Sequence, residues 1–171
     1  AQMTRLIEDL LAYSRMERQS LQRQALDLSR QLALVLEARR ADIEASGTVV
    51  DVALHGLTPH GDAEGLTMIL RNLVDNALKF AANSQPPALT ITASQTEKSV
   101  LLAFKDNGIG FDMQFHDRIF EIFQRLQRAE DYAGTGVGLA IVAKAAQRMG
   151  GRIWAESAPG QGATFYLELP R

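Results

Sequence analysis

Asn72, Asn76 and Lys79 stand four and three residues apart, so in a helix they line one face. Amide oxygens can coordinate a hard cation, and an ammonium can meet phosphate as a point charge. The same side chains also suit an ordinary solvated helix face. Further along, Asp106-Asn107-Gly108-Ile109-Gly110-Phe111 directly follows a strand pattern. A carboxylate at a strand end can accept a hydrogen bond from an exocyclic amine, and two glycines let the backbone approach a flat ring. Taken alone, these residues read equally as a turn. A third stretch, Gly134-Thr135-Gly136-Val137-Gly138-Leu139, opens a helical pattern. Amides at a helix N-terminus attract phosphate, and glycines permit close approach. A flexible hinge is the bland alternative, although a glycine every second residue exceeds what a hinge usually needs.

Several better-known sites are excluded by inspection. A dinucleotide fingerprint starting at Gly134 and Gly136 needs glycine where Leu139 stands. No Gly-Lys-Ser or Gly-Lys-Thr is present, so there is no Walker A loop, and no His-Glu-x-x-His zinc motif occurs. The His-Arg-Asp signature of eukaryotic-type protein kinases is missing as well.

The elements that must position these stretches follow from periodicity. Residues 1–18 carry Met3, Leu6, Ile7, Leu10, Leu11 and Tyr13 at helical spacing. The stripe is narrow and flanked by charge, which suits a helical hairpin seam as well as a helix packed on its own domain. A polar stretch, Glu17 to Gln24, interrupts the pattern. Asp27 can cap a second helix running through Leu32, Val35, Leu36 and Ile43 to a C-cap at Gly47. Val49 to Leu54 alternates like a strand, and His55 to Gly61 is a loop. Asp62 caps a third helix carrying Leu66, Ile69, Leu70, Leu73, Val74, Ala77, Leu78 and Phe80, broken at Asn83 to Pro87. Leu89 to Ala93 and Val100 to Phe104 are strands. Residues 105–135 form a long polar segment with a short helical piece around His116 to Leu126, and such a segment in a compact domain is usually functional. A helix from Val137 to Met149 ends at Gly150-Gly151. Arg152 to Glu156 and Ala163 to Leu169 are the closing strands, joined by the turn Pro159 to Gly162. This order predicts an α/β two-layer sandwich: one mixed, mainly antiparallel sheet covered on one face by helices, preceded by an N-terminal helix.

The 171 residues suit one domain with a short appendage. With 46% hydrophobic and 22% charged residues the composition is globular. A net charge of −2 predicts no broad footprint for nucleic acid. Cysteine is absent, which excludes disulfides and thiolate metal sites and is compatible with a reducing compartment. No apolar run approaches the roughly 18 residues needed to cross a bilayer, so no membrane contact by this segment is expected. No signal peptide is visible. The chain opens inside a helical pattern at Ala1-Gln2-Met3, which reads as a piece of a longer protein.

In order and separation, these stretches closely resemble the catalytic domain of sensor histidine kinases, in the superfamily shared with gyrase, Hsp90 and the mismatch-repair ATPase MutL. The likeness covers almost the whole chain. Asn72 to Phe80 resembles the N box and Asp106 to Gly110 the first glycine box. Ile119 to Leu126 resembles the F box and Gly134 to Leu139 the second glycine box. Gly151-Arg152-Ile153-Trp154 and Gly160-Gln161-Gly162-Ala163-Thr164-Phe165 match the closing strands. Phe123 to Leu126 and Ile153 to Ser157 are similar to kinases attached to PAS or phytochrome-type sensors.

The resemblance implies roles. Asn76 would give its side-chain oxygen to Mg²⁺ bridging the phosphates of ATP, and Lys79 would meet phosphate oxygens. Asp106 would hydrogen-bond the adenine amino group, with Gly108 and Gly110 letting the backbone pack against the nucleotide. Gly134, Gly136, Gly138 and Leu139 would belong to the phosphate cradle, and Thr164 would reach adenine through water. Residues 112–135 would form the ATP lid, with Arg125 and Arg128 as its cations. Phe120 and Phe123 would anchor that lid, dock on partner helices, or simply pack. In the hydrolysing relatives a glutamate activates water at the place of Asn72. Asn72 cannot act as a general base, which favours transfer to another acceptor, a reaction that depends mainly on positioning and charge.

By the same resemblance, residues 1–18 are the end of a dimerisation hairpin, 19–26 a linker and 27–171 the ATP-binding catalytic domain. The activity implied is that of a protein-histidine kinase in a two-component system, at a cytoplasmic location. The partners implied are the phosphoacceptor histidine of the hairpin, a response regulator receiver domain and a second copy of the full-length protein. None of the three histidines, His55, His60 and His116, sits in a helical His-Glu or His-Asp context before the catalytic domain, so none is expected to be the acceptor. A stand-alone ATPase is the first rival, opposed by Asn72. A serine kinase of the anti-sigma-factor type is the second, opposed by the hairpin-like start and the full F box. A non-catalytic scaffold is the third, opposed by the intact Asn76 and Asp106 with their glycines.

Overall fold

The computed structural model describes residues 2–18, 20–110, 113, 120 and 138–171. The first helix, α1 (Gln2–Arg18), leaves Ile7 and Leu11 more than half exposed and buries Met16 at its far end. The expected linker carries a two-residue strand, β1 (Gln24–Ala25), paired antiparallel with β3 (His60–Gly61) in what reads as a loop in sequence. Both strands are too short to show a period. The amide of Gln22 reaches Asp62 Oδ1 at 3.3 Å, and Leu26 and Leu28 are buried, so this segment is tied to the domain beyond it.

Asp27 caps α2 (Leu28–Ala38) by accepting the Arg30 amide at 3.1 Å. The single helix expected as far as Gly47 is broken at Arg39, whose φ of −105° and ψ of 7° start a separate α3 (Arg40–Ser46). No glycine or proline marks the break. The Arg39 side chain reaches across instead, giving Nε and Nη2 to the two carboxylate oxygens of Asp75 at 2.6 and 3.1 Å. Gly47 ends α3 in the left-handed conformation, φ 71°. The two side chains are only 27% and 25% exposed, so solvent screens this forked pair incompletely. A double-mutant cycle of Arg39→Ala and Asp75→Ala in urea melts is expected to give a coupling of about 1 kcal/mol. A coupling near zero would mean that the pair does not hold α2 in place.

Asp62 caps α4 (Ala63–Phe80) by accepting the Gly65 amide at 2.8 Å. Its buried stripe, Leu66, Ile69, Leu70, Leu73, Val74 and Ala77, lies on the sheet. The sheet holds β2 (Val49–Ala53), β4 (Ala88–Gln95), β5 (Ser99–Asp106), β6 (Arg152–Ser157) and β7 (Ala163–Pro170) in the order β2-β4-β5-β7-β6. β2 runs parallel to β4 and the other neighbours are antiparallel. The mixed, mainly antiparallel sheet is therefore as expected.

Strand parity sorts the side chains. Leu89 and Ile91, Val100, Leu102 and Phe104, and Phe165, Leu167 and Leu169 are buried beneath α4 and α5 (Gly138–Arg148). On the opposite face Trp154 stacks on Tyr166, ring centroids 5.4 Å apart, with the Arg152 guanidinium 4.5 Å from the Trp154 ring centre. Among the described residues no helix is long and apolar enough to cross a membrane.

Candidate nucleotide-binding site

α4 carries Asn72, Asn76 and Lys79 on one side because its apolar stripe is turned to the sheet. Asn72 Nδ2 donates to the Met68 carbonyl at 2.8 Å. Its Oδ1 lies 2.9 Å from where a Cβ on Gly138 would stand, so the absence of a side chain there lets the start of α5 meet α4. Asn76 Nδ2 is buried and has no hydrogen-bond partner among the described residues. A buried polar group without a partner is costly, and this one fits a group supplied by a ligand. As placed it offers a donor to an anion, and half a turn of the amide presents Oδ1 to a cation. Lys79 Nζ stands 5.3 Å from the ring centre of Phe80.

Asp106 ends β5 and is only 3% exposed. Its Oδ1 accepts the Gly108 amide at 2.9 Å. Burial raises its pKa, while the backbone amides of Gly108 and Ala163 pull the other way. A carboxylate so placed is an acceptor held at the edge of the core. Gly108 packs against the Phe80 carbonyl, and Gly110 is left-handed at φ 65° against the carbonyls of Ala158 and Gly162. In neither place does the backbone leave room for a Cβ. The segment is therefore gripped from both sides: the Ile109 amide donates to Phe80 O at 3.3 Å, and the Gly160 amide donates to Ile109 O at 2.6 Å.

The structure thus places Asn72, Asn76 and Lys79 along one side of α4 with Gly138 against Asn72, and sets Gly108, just after Asp106, against the end of the same helix. Gly138 begins α5, and Leu139 packs partly buried against the core. Phe120 also packs there, edge-on to Phe165 with centroids 6.2 Å apart. Gly134, Gly136, Arg125, Arg128, Phe123 and His116, with most of the expected lid, lie outside the described residues.

Thr164 is not brought to the site. It pairs with Lys105, one step out of parity with Asp106, and belongs to the face opposite the helices. Ala163 is the residue of β7 that stands beside Asp106. Two supporting residues were missed in sequence. Asn107 bonds the 84–88 loop, and Ser157 Oγ donates to Gly162 O at 2.6 Å. An Asn directly after the strand-end Asp was the available signal for the first, and nothing marked the second.

Residues 61–171 match the model of the histidine kinase-, DNA gyrase B- and HSP90-like ATPase family. The chain belongs to this family. Within this ATPase family it is 39% identical over 170 residues to the phytochrome-like protein Cph1 of Synechocystis. It is 40% identical over 168 residues to cyanobacterial phytochrome A of Nostoc. Each match covers 98% of this chain and 22% of the relative, so the chain spans under a quarter of those proteins. Among solved structures, full-length ShkA in complex with AMPPNP superposes with a TM-score of 0.83 at 30% identity, over 98% of this chain and 35% of ShkA. The nucleotide-free catalytic domain of the histidine kinase ThkA shares the fold, with a TM-score of 0.74 at 23% identity, over 87% of this chain and 97% of that one. The sheet-and-helix architecture is that of histidine kinase ATPase domains.

Proposed function

We propose that this domain binds ATP with Mg²⁺ and donates the γ-phosphate to a histidine on a helical hairpin, of which α1 is the final part. The observation that carries the reading is Asp106: a buried carboxylate at a strand end, approached across two glycines that admit no side chain. An amino group on a flat base satisfies such an acceptor. Asn76, whose Nδ2 has no partner among the described residues, would then serve the phosphate end. Among the described residues no group of three or more His, Cys, Asp or Glu is assembled. Mg²⁺ would therefore be held by Asn76 together with oxygens of the nucleotide itself. Lys79 would balance phosphate charge. Bound Mg²⁺ would supply Lewis-acid neutralisation of that charge. Arg125, Gly134 and Gly136 would complete the enclosure from the lid.

Asn72 speaks for transfer rather than hydrolysis, since its amide cannot take a proton from water. The exposed Ile7 and Leu11 of α1 suit a hairpin in a homodimer, and a response regulator receiver domain would then take the phosphate from the histidine. The test is simple. The chain is expected to bind ATP in a Mg²⁺-dependent manner by calorimetry, and to retain no radiolabel from γ-labelled ATP. A stable phosphohistidine on this chain would sink the reading of it as donor alone, and steady release of free phosphate would revive the hydrolase.

A further inference from the structure

Asn107 is among the most heavily bonded residues near the site. It follows the buried Asp106 and is itself exposed, so its side chain leaves the strand on the other side. There Oδ1 accepts the Ala88 amide at 2.9 Å, and Nδ2 donates to the Pro86 carbonyl at 2.8 Å. Its own carbonyl accepts from Ser84 Oγ at 2.7 Å. These bonds tie the end of β5 to the loop that leaves α4. That loop begins just past Phe80, whose carbonyl accepts from Ile109 and crowds Gly108. Residues 107–110 thus hang between the end of α4 and the turn at 157–162.

We propose that Asn107 is a positioning residue for base recognition. By clipping the strand end to the 84–88 loop, it sets the height of Asp106 and Gly108 relative to the helix that carries Asn76 and Lys79. This rests on the nucleotide reading above. Asn fits the place because it offers one acceptor and one donor in a fixed plane. Aspartate keeps the acceptor for Ala88 but turns an oxygen towards Pro86 O. Alanine loses both bonds.

The experiment titrates the full chain with Mg-ATP and Mg-GTP by competition, with Tm measured alongside. Asn107→Ala is expected to bind ATP about tenfold more weakly, a loss of about 1.4 kcal/mol, because both side-chain bonds that fix the strand end are gone. Its preference for ATP over GTP is expected to shrink, since a displaced Asp106 no longer selects an amino group. Asn107→Asp should fall between wild type and alanine. If the alanine variant does not fold, the aspartate variant carries the comparison of base preference. An unchanged preference in whichever variant folds overturns the proposal, even where Tm falls, because support of the fold alone would not alter base choice. A wild-type chain that binds no ATP overturns the nucleotide reading instead.

Discussion

Asp106→Asn is expected to weaken ATP binding by about 10- to 100-fold, the cost of replacing a charged acceptor by a neutral one at a desolvated hydrogen bond. The same change should alter the stability of the nucleotide-free domain in a pH-dependent way. Burial holds the folded-state pKa of Asp106 above its ordinary value of 3.8. Folded protein therefore binds this proton more tightly than the unfolded chain does. The stability gained is fully present below 3.8 and is lost as pH rises through the folded value. An asparagine has no proton to lose. The Tm of Asp106→Asn relative to wild type should accordingly climb as pH rises from about 4 towards neutrality. A flat difference across that range would show that the carboxyl pays no burial penalty. Binding and stability are thus expected to move in opposite directions, because the group that recognises a ligand is one the empty core would rather not hold charged.

Gly110→Ala should be severely damaging. Its φ of 65° is strained for any residue with a side chain. A Cβ there would collide with the Ala158 carbonyl and stand 2.8 Å from Gly162 O and 2.9 Å from Ser157 Oγ. Two of these neighbours are backbone and cannot swing aside. Strain and crowding together are expected to cost about 3 kcal/mol or more, a fall in Tm of roughly 10 °C for a domain of this size. Gly160→Ala provides the control. It shares a positive φ, 75°, but nothing lies within 4 Å of its Cβ position, so only the smaller conformational cost of about 1 kcal/mol applies. Equal losses at the two positions would refute the crowding account.

What could be read beforehand followed the physics of each feature. Asp27, Gly47 and Asp62 were legible as caps because capping is decided locally, by one side chain or one φ angle. The sandwich itself was legible because strand parity and helix periodicity both extend over many residues. The break at Arg39 was not, since its distinctive contact is a guanidinium reaching Asp75 on another helix. The β1–β3 pair was likewise invisible, being held by partners far apart in the chain. Within the candidate site, Asp106, Gly108 and Gly110 were singled out from type and spacing. Thr164 was misplaced for a reason the sequence already contained: Ala163, Phe165, Leu167 and Leu169 mark the inward parity of β7, and Thr164 falls between them. Asn107 was visible, but its work was not, because its partners are backbone atoms of a loop about 20 residues earlier.

The position of β7 in the sheet has a consequence for how the molecule comes into being. Although it follows β6 in sequence, β7 lies between β5 and β6. Until it emerges, β6 has no neighbour, Asp106 lacks the Ala163 amide, and the loop that holds Gly110 is not in place. A nascent chain can assemble α4 with β4 and β5, but not a pocket able to grip a nucleotide. Competence therefore waits on β7, and a nascent chain that has not yet made this strand has no means of holding ATP.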